Sequence, residues 1–225
     1  MSALVWVPVC AFNRWNVTRF CLPSLFRPGV VVTVWNDHST DYGSGELANL
    51  WVDVRKEPQK LGIHNLRLLQ LREFLRRDEP YLYLTDSDAL HDPDWLERAG
   101  DLMTRAAVPV TLYNSDRHVS RWGVPVEEYE MRPTAPGISQ FLSRAMVERA
   151  VHWLDANEVK TWEDWDYGLI SIVGGKAATS LTSYVEHLGV GGMHSEEGEW
   201  DNDRAINPTP WLVQKRQEYL SRLMI

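Results

Sequence analysis

The chain has 225 residues, of which 44% are hydrophobic and 24% charged, with a formal net charge of −8. That usage is ordinary for a globular protein and fits one large α/β domain or two small ones with a sizeable core. The negative balance argues against a broad electrostatic footprint for nucleic acid or an anionic membrane, although a local basic groove is compatible with it.

Two cysteines, Cys10 and Cys21, make no disulfide framework, and there is no signal-peptide pattern. No apolar run approaches the ~20 residues of a membrane span. A soluble protein in a reducing cytoplasm, without a membrane partner, is the expectation. Of the eleven tryptophans, Trp15, Trp35, Trp122, Trp162, Trp165 and Trp200 sit in polar surroundings. There an indole can stack on a sugar or base, although packing on the protein's own core is the commoner use.

In chain order, Leu4–Phe12 reads as a buried strand, with Pro8 marking its end or an irregularity. A helix begins at Val17, Pro28-Gly29 is a turn, and the β-branched run Val30–Trp35 is a parallel-type strand. That strand ends in the polar loop Asn36–Asp41. Glu46–Leu50 reads as a short helix and Trp51–Val54 as a short strand. From Leu61 to Arg77, Leu66, Leu69, Leu71, Phe74 and Leu75 recur at helical spacing, with Arg67, Arg72, Arg76 and Arg77 on the other faces.

Tyr81–Thr85 is an apolar strand that runs into Asp86-Ser87-Asp88. Pro93 suits the first turn of a helix with Asp92 as its N-cap, so a helix is expected over Asp94–Arg105. Strand, acidic turn and helix follow one another, and the carboxyl ends of strands are where α/β sheets bind ligands. Two carboxylates one residue apart on a bend can converge; unpaired, they would repel. A divalent cation removes that conflict, and Mg²⁺ or Mn²⁺ is typically held by one or two carboxylates plus substrate phosphates. The plainer alternative is a helix cap beside a surface acid.

Val108–Tyr113 reads as another strand, Asn114–Ala135 as a long polar loop, and Ile138–Leu142 as a strand leading to the helix Arg144–Asn157. Leu169–Val173 is helical and stops at Gly174-Gly175, Lys176–Val185 is strand-like, and Pro210 opens a last helix ending at Met224. Strands separated by helices give a βαβ progression, hence a three-layer α/β/α sandwich with a mostly parallel central sheet. With no internal repeat, a single domain is expected over residues 1–225.

The order of motifs resembles the inverting nucleotide-sugar glycosyltransferases of the Rossmann-like GT-A fold, especially family 2 and its relatives. The resemblance runs from Val5 to Ser195. Val7-Pro8-Val9-Cys10-Ala11-Phe12-Asn13-Arg14 is similar to the family's opening strand, whose end cradles the nucleotide. Trp35–Asp41 is similar to its second-strand motif, with Asn36 and His38 departing from the usual acids and glycine. Thr85-Asp86-Ser87-Asp88 matches the Asp-X-Asp motif, and Trp162-Glu163-Asp164 is similar to the Glu-Asp motif that supplies the catalytic base. Ser183–Gly189 is similar to a Ser-X-X-X-His-X-Gly segment of related transferases.

The resemblance implies transfer from a nucleotide-diphosphate donor, UDP-sugar foremost, to an acceptor hydroxyl with inversion, using Mn²⁺ or Mg²⁺. Within the single domain it implies a nucleotide-binding half over about 1–113 and an acceptor and catalytic half over about 114–209, followed by the terminal helix over about 210–224. It places Pro8, Cys10, Ala11, Asn13, Arg14, Asp37, Asp86 and Ser87 at the donor. Asp88 and Asp86, with His187 or His194, become the metal ligands. Asp164 is the candidate base, with Glu163 and Asp166 as alternates. Glu and Asp before a helix can also simply favour its positive end. Trp122, Trp162 and Trp165 are candidate acceptor contacts, and Arg14, Arg67 and Arg117 candidate diphosphate partners. The acceptor reads only as a small molecule, a glycan end or a modified nucleic-acid base.

Two other readings compete. A nucleotidyltransferase on a related sheet would want a glycine-rich loop after the first strand, and Phe12-Asn13-Arg14-Trp15 has no glycine. A non-catalytic nucleotide- or carbohydrate-binding module would leave Glu163 and Asp164 without a task.

Overall fold

Strand β1 (Val5–Ala11) is buried along its whole length and forms the spine of the sheet. A computed structural model describes residues 4–50, 52–115, 125–158, 167–189 and 204–223. On one side β1 pairs in parallel with β2 (Val30–Asn36) at every residue. On the other it pairs in parallel with β4 (Tyr81–Asp86), but that ladder lapses at Val7 and Pro8. Pro8 therefore sits in mid-strand rather than at its end: the missing N–H interrupts one ladder and leaves the other whole.

The remaining strands are β3 (Asp53–Lys56), β5 (Ala89–His91), β6 (Val110–Thr111), β7 (Pro125–Val126), β8 (Tyr129–Arg132), β9 (Ser139–Ser143), β10 (Ala177–Ser180) and β11 (Val185–His187). The nine-stranded sheet has the order β3-β2-β1-β4-β9-β6-β10-β8-β7, while β5 and β11 form a separate two-stranded ribbon. In the large sheet only β9 and β8 run against the others. Strands from both sides of residue 113 enter it.

The helices are α1 (Trp15–Cys21), α2 (Ser44–Ala48), α3 (Ile63–Phe74), α4 (Trp95–Ala106), α5 (Arg144–Ala156), α6 (Gly168–Val173) and α7 (Pro210–Leu223). Side-chain alternation assigns them to layers. Trp6 of β1 stacks on Phe74 of α3, with ring centroids 6.4 Å apart. Leu82 is the register partner of Trp6 and shares its face, so the next residue, Tyr83, points to the other. Tyr83 stacks on Trp95 of α4 at 4.8 Å. Helices α3 and α4 thus cover opposite faces, giving three layers, α/β/α. Helix α7 lays Leu212 and Tyr219 against Val17, Cys21, Leu90 and Leu188. Among the described residues no helix is long and apolar enough to cross a membrane.

Several sequence expectations are corrected. Asp92 is not the N-cap of the helix after the acidic turn. Ala89–His91 first pairs with β11, so α4 starts only at Trp95, with Asp94 at the cap position. The Asp92 carboxylate instead accepts the N–H of Asp94 at 2.9 Å and the hydroxyl of Thr209. Asn114–Ala135 is not all loop, since it contains the β7–β8 hairpin at the sheet's edge. Lys176–Val185 is two strands in different sheets, because β10 joins β6 and β8 while β11 turns back to β5. Trp35 is 1% exposed and sits edge-on to Trp6, so core packing claims it.

Candidate active site

Strands β1 and β2 end in register at Ala11 and Asn36, and Cys10 faces Asp86 at the end of β4. The order β3-β2-β1-β4 means that the chain builds outward from β1 and then returns to its other side. The gap between β1 and β4 is thus a topological switch point, where loops diverge and leave a crevice at the strands' carboxyl ends.

The loop after β1 begins with two consecutive left-handed residues that are not glycine, Asn13 (φ 53°) and Arg14 (φ 61°). Such a conformation costs an L-residue roughly 1–2 kcal/mol. The neighbouring loop after β2, itself bent at His38 (φ 65°), holds it in place. The Asn13 N–H donates to Ser39 Oγ at 2.9 Å, and Asn13 Oδ1 accepts the Thr40 N–H at 2.9 Å. The Trp15 N–H donates to Asp41 Oδ2 at 2.9 Å. Asn36, one departure from the family's second-strand motif, accepts the Ser39 N–H through Oδ1 at 2.8 Å.

The bend aims Arg14 across the switch point, where its Nη2 lies 3.0 Å from Asp88 Oδ2. The β5–β11 ribbon brings His187 to the same oxygen, with Nε2 3.1 Å away. The Leu188 N–H donates to the Asp88 carbonyl at 3.0 Å and fixes that approach. Burial alone would raise the Asp88 carboxyl, but the imidazole of His187 and the guanidinium of Arg14 outweigh it and hold it well below the usual range.

Asp86 has a different cation. Arg67 rises from α3 with its side chain only 3% exposed and donates Nη2 to Asp86 Oδ1 at 2.7 Å. The same nitrogen reaches the Thr85 carbonyl at 2.9 Å, and Nη1 donates to Gln70 Oε1 at 2.9 Å. Gln70 in turn donates to Cys10 Sγ at 3.1 Å. Arg67 is therefore a buried anchor, not a residue of an outer helix face. Burial pushes the Cys10 thiol up to about 11, so it is no nucleophile at neutral pH.

The other expected donor residues take up distinct stations. Pro8 is covered in mid-strand. Cys10 and Ala11 form the floor of the crevice, their carbonyls accepting the N–H of Ser87 at 3.1 Å and of Asp37 at 2.8 Å. Asp37 is 3% exposed, and its carboxylate accepts the N–H groups of Leu61 (2.6 Å) and Gly62 (2.8 Å). It pins the start of α3, where Gly62 takes a positive φ of 80°. Lys60 Nζ lies 3.9 Å from the centre of the Phe12 ring at the same edge.

Trp122, Trp162, Glu163, Asp164, Trp165, Asp166, His194 and Arg117 lie outside the described residues. Among the described residues no three His, Cys, Asp or Glu side chains are grouped closely enough to enclose a metal ion. Asp88 Oδ2 and His187 Nε2 nonetheless suit neighbouring positions on one: cis ligands about 2.1 Å from an octahedral ion are about 3 Å apart. Two protein ligands are what such an ion needs when phosphates and water supply the rest. Sequence reasoning missed the Arg67–Asp86 pair and the ribbon that carries His187. The arginine's signal was its place among leucines, in Leu66-Arg67-Leu68-Leu69.

Residues 6–156 match the model of glycosyl transferase family 2. The chain belongs to that family. Among solved structures, this family 2 chain is similar to a mannosyltransferase from Pyrobaculum calidifontis in complex with GDP-Man and Mn²⁺ (TM-score 0.57, 19% identity, 80% of this chain and 55% of that one). It is also similar to S. aureus TarS 1-349 in complex with UDP-GlcNAc (TM-score 0.55, 16% identity, 82% and 58%). A third is GalNAc-T7 with UDP, GalNAc and Mn²⁺ (TM-score 0.60, 11% identity, 80% and 42%). At these identities the likeness is one of fold, the GT-A fold. The family 2 chain spans about half the length of these proteins. No curated protein matches its sequence.

Proposed function

We propose that the chain is an inverting glycosyltransferase that moves a sugar from a nucleotide-diphosphate donor to an acceptor hydroxyl with the help of a divalent ion. The observation that carries this reading is the meeting of Asp88 Oδ2 and His187 Nε2, 3.1 Å apart, beside the switch point of a family 2 chain. Asp88 and His187 would hold Mn²⁺ or Mg²⁺, with Asp86 reaching the ribose or a water on the ion. When bound, the ion offsets the negative charge that builds on the departing nucleotide diphosphate.

The chain's own residues would do the rest. Cys10 and Ala11 floor the donor crevice, and Asn13, Arg14 and Ser87 edge it. Asp37 acts by fixing the Leu61–Gly62 backbone at its rim. On the acceptor side, Asp164 would take the hydroxyl proton as the oxygen attacks, with Glu163 and Asp166 as alternates, because inversion needs a base on the face opposite the leaving group. Trp122, Trp162 and Trp165 would stack on the acceptor, whether a small molecule, a glycan end or a modified base.

UDP-sugars come first among donors, since two of the three solved relatives named above hold UDP or a UDP-sugar, and GDP-mannose comes next. The test is a panel of sugar nucleotides assayed for Mn²⁺-dependent hydrolysis, since slow transfer to water needs no acceptor. One donor should be cleaved with Mn²⁺ and spared with EDTA. Equal inertness of every sugar nucleotide, with no binding to any nucleoside diphosphate, would leave the binding-module reading in its place.

A further inference from the structure

Arg14 holds the oxygen that the proposed function assigns to a divalent ion. Arg14 Nη2 sits 3.0 Å from Asp88 Oδ2, the atom that His187 Nε2 also contacts. Its second terminal nitrogen, Nη1, is buried and has no hydrogen-bond partner among the described residues. A guanidinium with an idle buried donor is poorly satisfied where it rests, and such a donor wants an anionic oxygen. The left-handed backbone at Asn13 and Arg14, fastened by Ser39, Thr40 and Asp41, keeps this cation over the switch point at a conformational cost.

From this we infer that Arg14 is an exchangeable counter-cation: it neutralises Asp88 in the empty enzyme and transfers to the donor's diphosphate when a divalent ion takes Asp88. The inference rests on reading the Asp86–Asp88 turn as the metal and phosphate site. Arg14 and His187 already take both lone-pair directions of Asp88 Oδ2, so an ion that binds this oxygen with His187 as its second ligand takes the place of Arg14. Without nucleotide, the displaced guanidinium gives up its ion pair with Asp88 and gains no phosphate in return, so the exchange is unfavourable. A diphosphate supplies that anion and also a partner for Nη1. Metal and nucleotide thus bind as a pair, each raising the other's affinity by the same factor, as linkage requires. The arginine prevents the enzyme from filling its acidic turn with metal when no donor is present.

Cooperation between UDP and Mn²⁺ alone would not be diagnostic, because UDP chelates Mn²⁺ itself. The distinguishing quantity is Mn²⁺ affinity without nucleotide, read by the loss of the free-Mn²⁺ electron paramagnetic resonance signal. Arg14→Gln removes the competing cation. Arg14→Gly also removes it and suits the left-handed backbone, which keeps the test valid if the glutamine variant folds poorly. Both should tighten nucleotide-free Mn²⁺ binding by about 10-fold or more and weaken UDP binding in the presence of Mn²⁺, so that the mutual enhancement shrinks. If UDP still recruits Mn²⁺ but both variants bind Mn²⁺ alone no better than the parent, the exchange is wrong and the metal site stands. If the parent binds no Mn²⁺ even with UDP, the metal site falls and the exchange falls with it.

Discussion

The Arg67 guanidinium meets the Asp86 carboxylate at 2.7 Å from inside the core, with the arginine side chain 3% exposed and the aspartate 35%. The pair joins α3 to the end of β4 and places the first acid of the turn. Truncating Arg67 strands the buried Thr85 carbonyl and Gln70, which it also serves, and leaves the partly exposed Asp86 without its cation. Arg67→Ala should therefore lower unfolding stability by about 3–5 kcal/mol. Arg72→Ala breaks an exposed pair with Asp155 and should cost under about 1 kcal/mol. Urea denaturation of the two variants side by side measures the contrast.

Substitution at the second acid should act on chemistry more than on folding. Asp88→Asn keeps the shape of the turn while removing the charge that would hold the ion. Transfer or donor hydrolysis should fall by on the order of 10²–10³. His187→Ala should raise the Mn²⁺ concentration needed for half-maximal rate, with excess Mn²⁺ restoring part of the activity. Steady-state rates across a Mn²⁺ titration separate the two effects.

Asp164→Asn tests the base. Binding of UDP with Mn²⁺, followed by calorimetry, should be unchanged while transfer to any acceptor is lost. Surviving transfer would move the assignment to Glu163 or Asp166.

Loss of stability in acid has an identifiable source in His91. The ring is fully buried against Trp95 and Tyr83, whose hydroxyl is 3.0 Å from Nε2. Burial, aided by Arg27, pushes its pKa down from 6.5 to about 3. The unfolded chain thus takes up a proton that the folded one refuses. This contribution is complete above pH 6.5 and is lost as pH falls toward 3, up to about 4–5 kcal/mol. His91→Gln should flatten the fall of unfolding free energy between pH 6.5 and 4, measured by urea titration at each pH.

Much of this fold was legible because its inner strands carry unambiguous patterns. Val30–Trp35 and Tyr81–Thr85 are apolar runs of strand length, and the Leu66–Leu75 spacing is helical. The short elements were not legible. The pairing of Ala89–His91 with Val185–His187 joins segments nearly a hundred residues apart, and nothing local in either foretells it. Likewise, the leucines around Arg67 hint at its burial, but its partner is not legible until β4 places Asp86 beside it. Asp86, Asp88 and His187 are expected from motif order and Arg14 and Arg67 as diphosphate partners, but the pairing of the two arginines with the acids depends on tertiary contacts.

By the proposed function, Asp88 and His187 would receive a divalent ion shared with a nucleotide's phosphates. Anomalous diffraction from crystals grown with UDP and Mn²⁺ tests it most directly. A manganese peak about 2.0–2.3 Å from both Asp88 Oδ2 and His187 Nε2, touching the diphosphate, is the predicted result. A bound nucleotide with no peak at this turn, and Asp88 still held by Arg14, would contradict it.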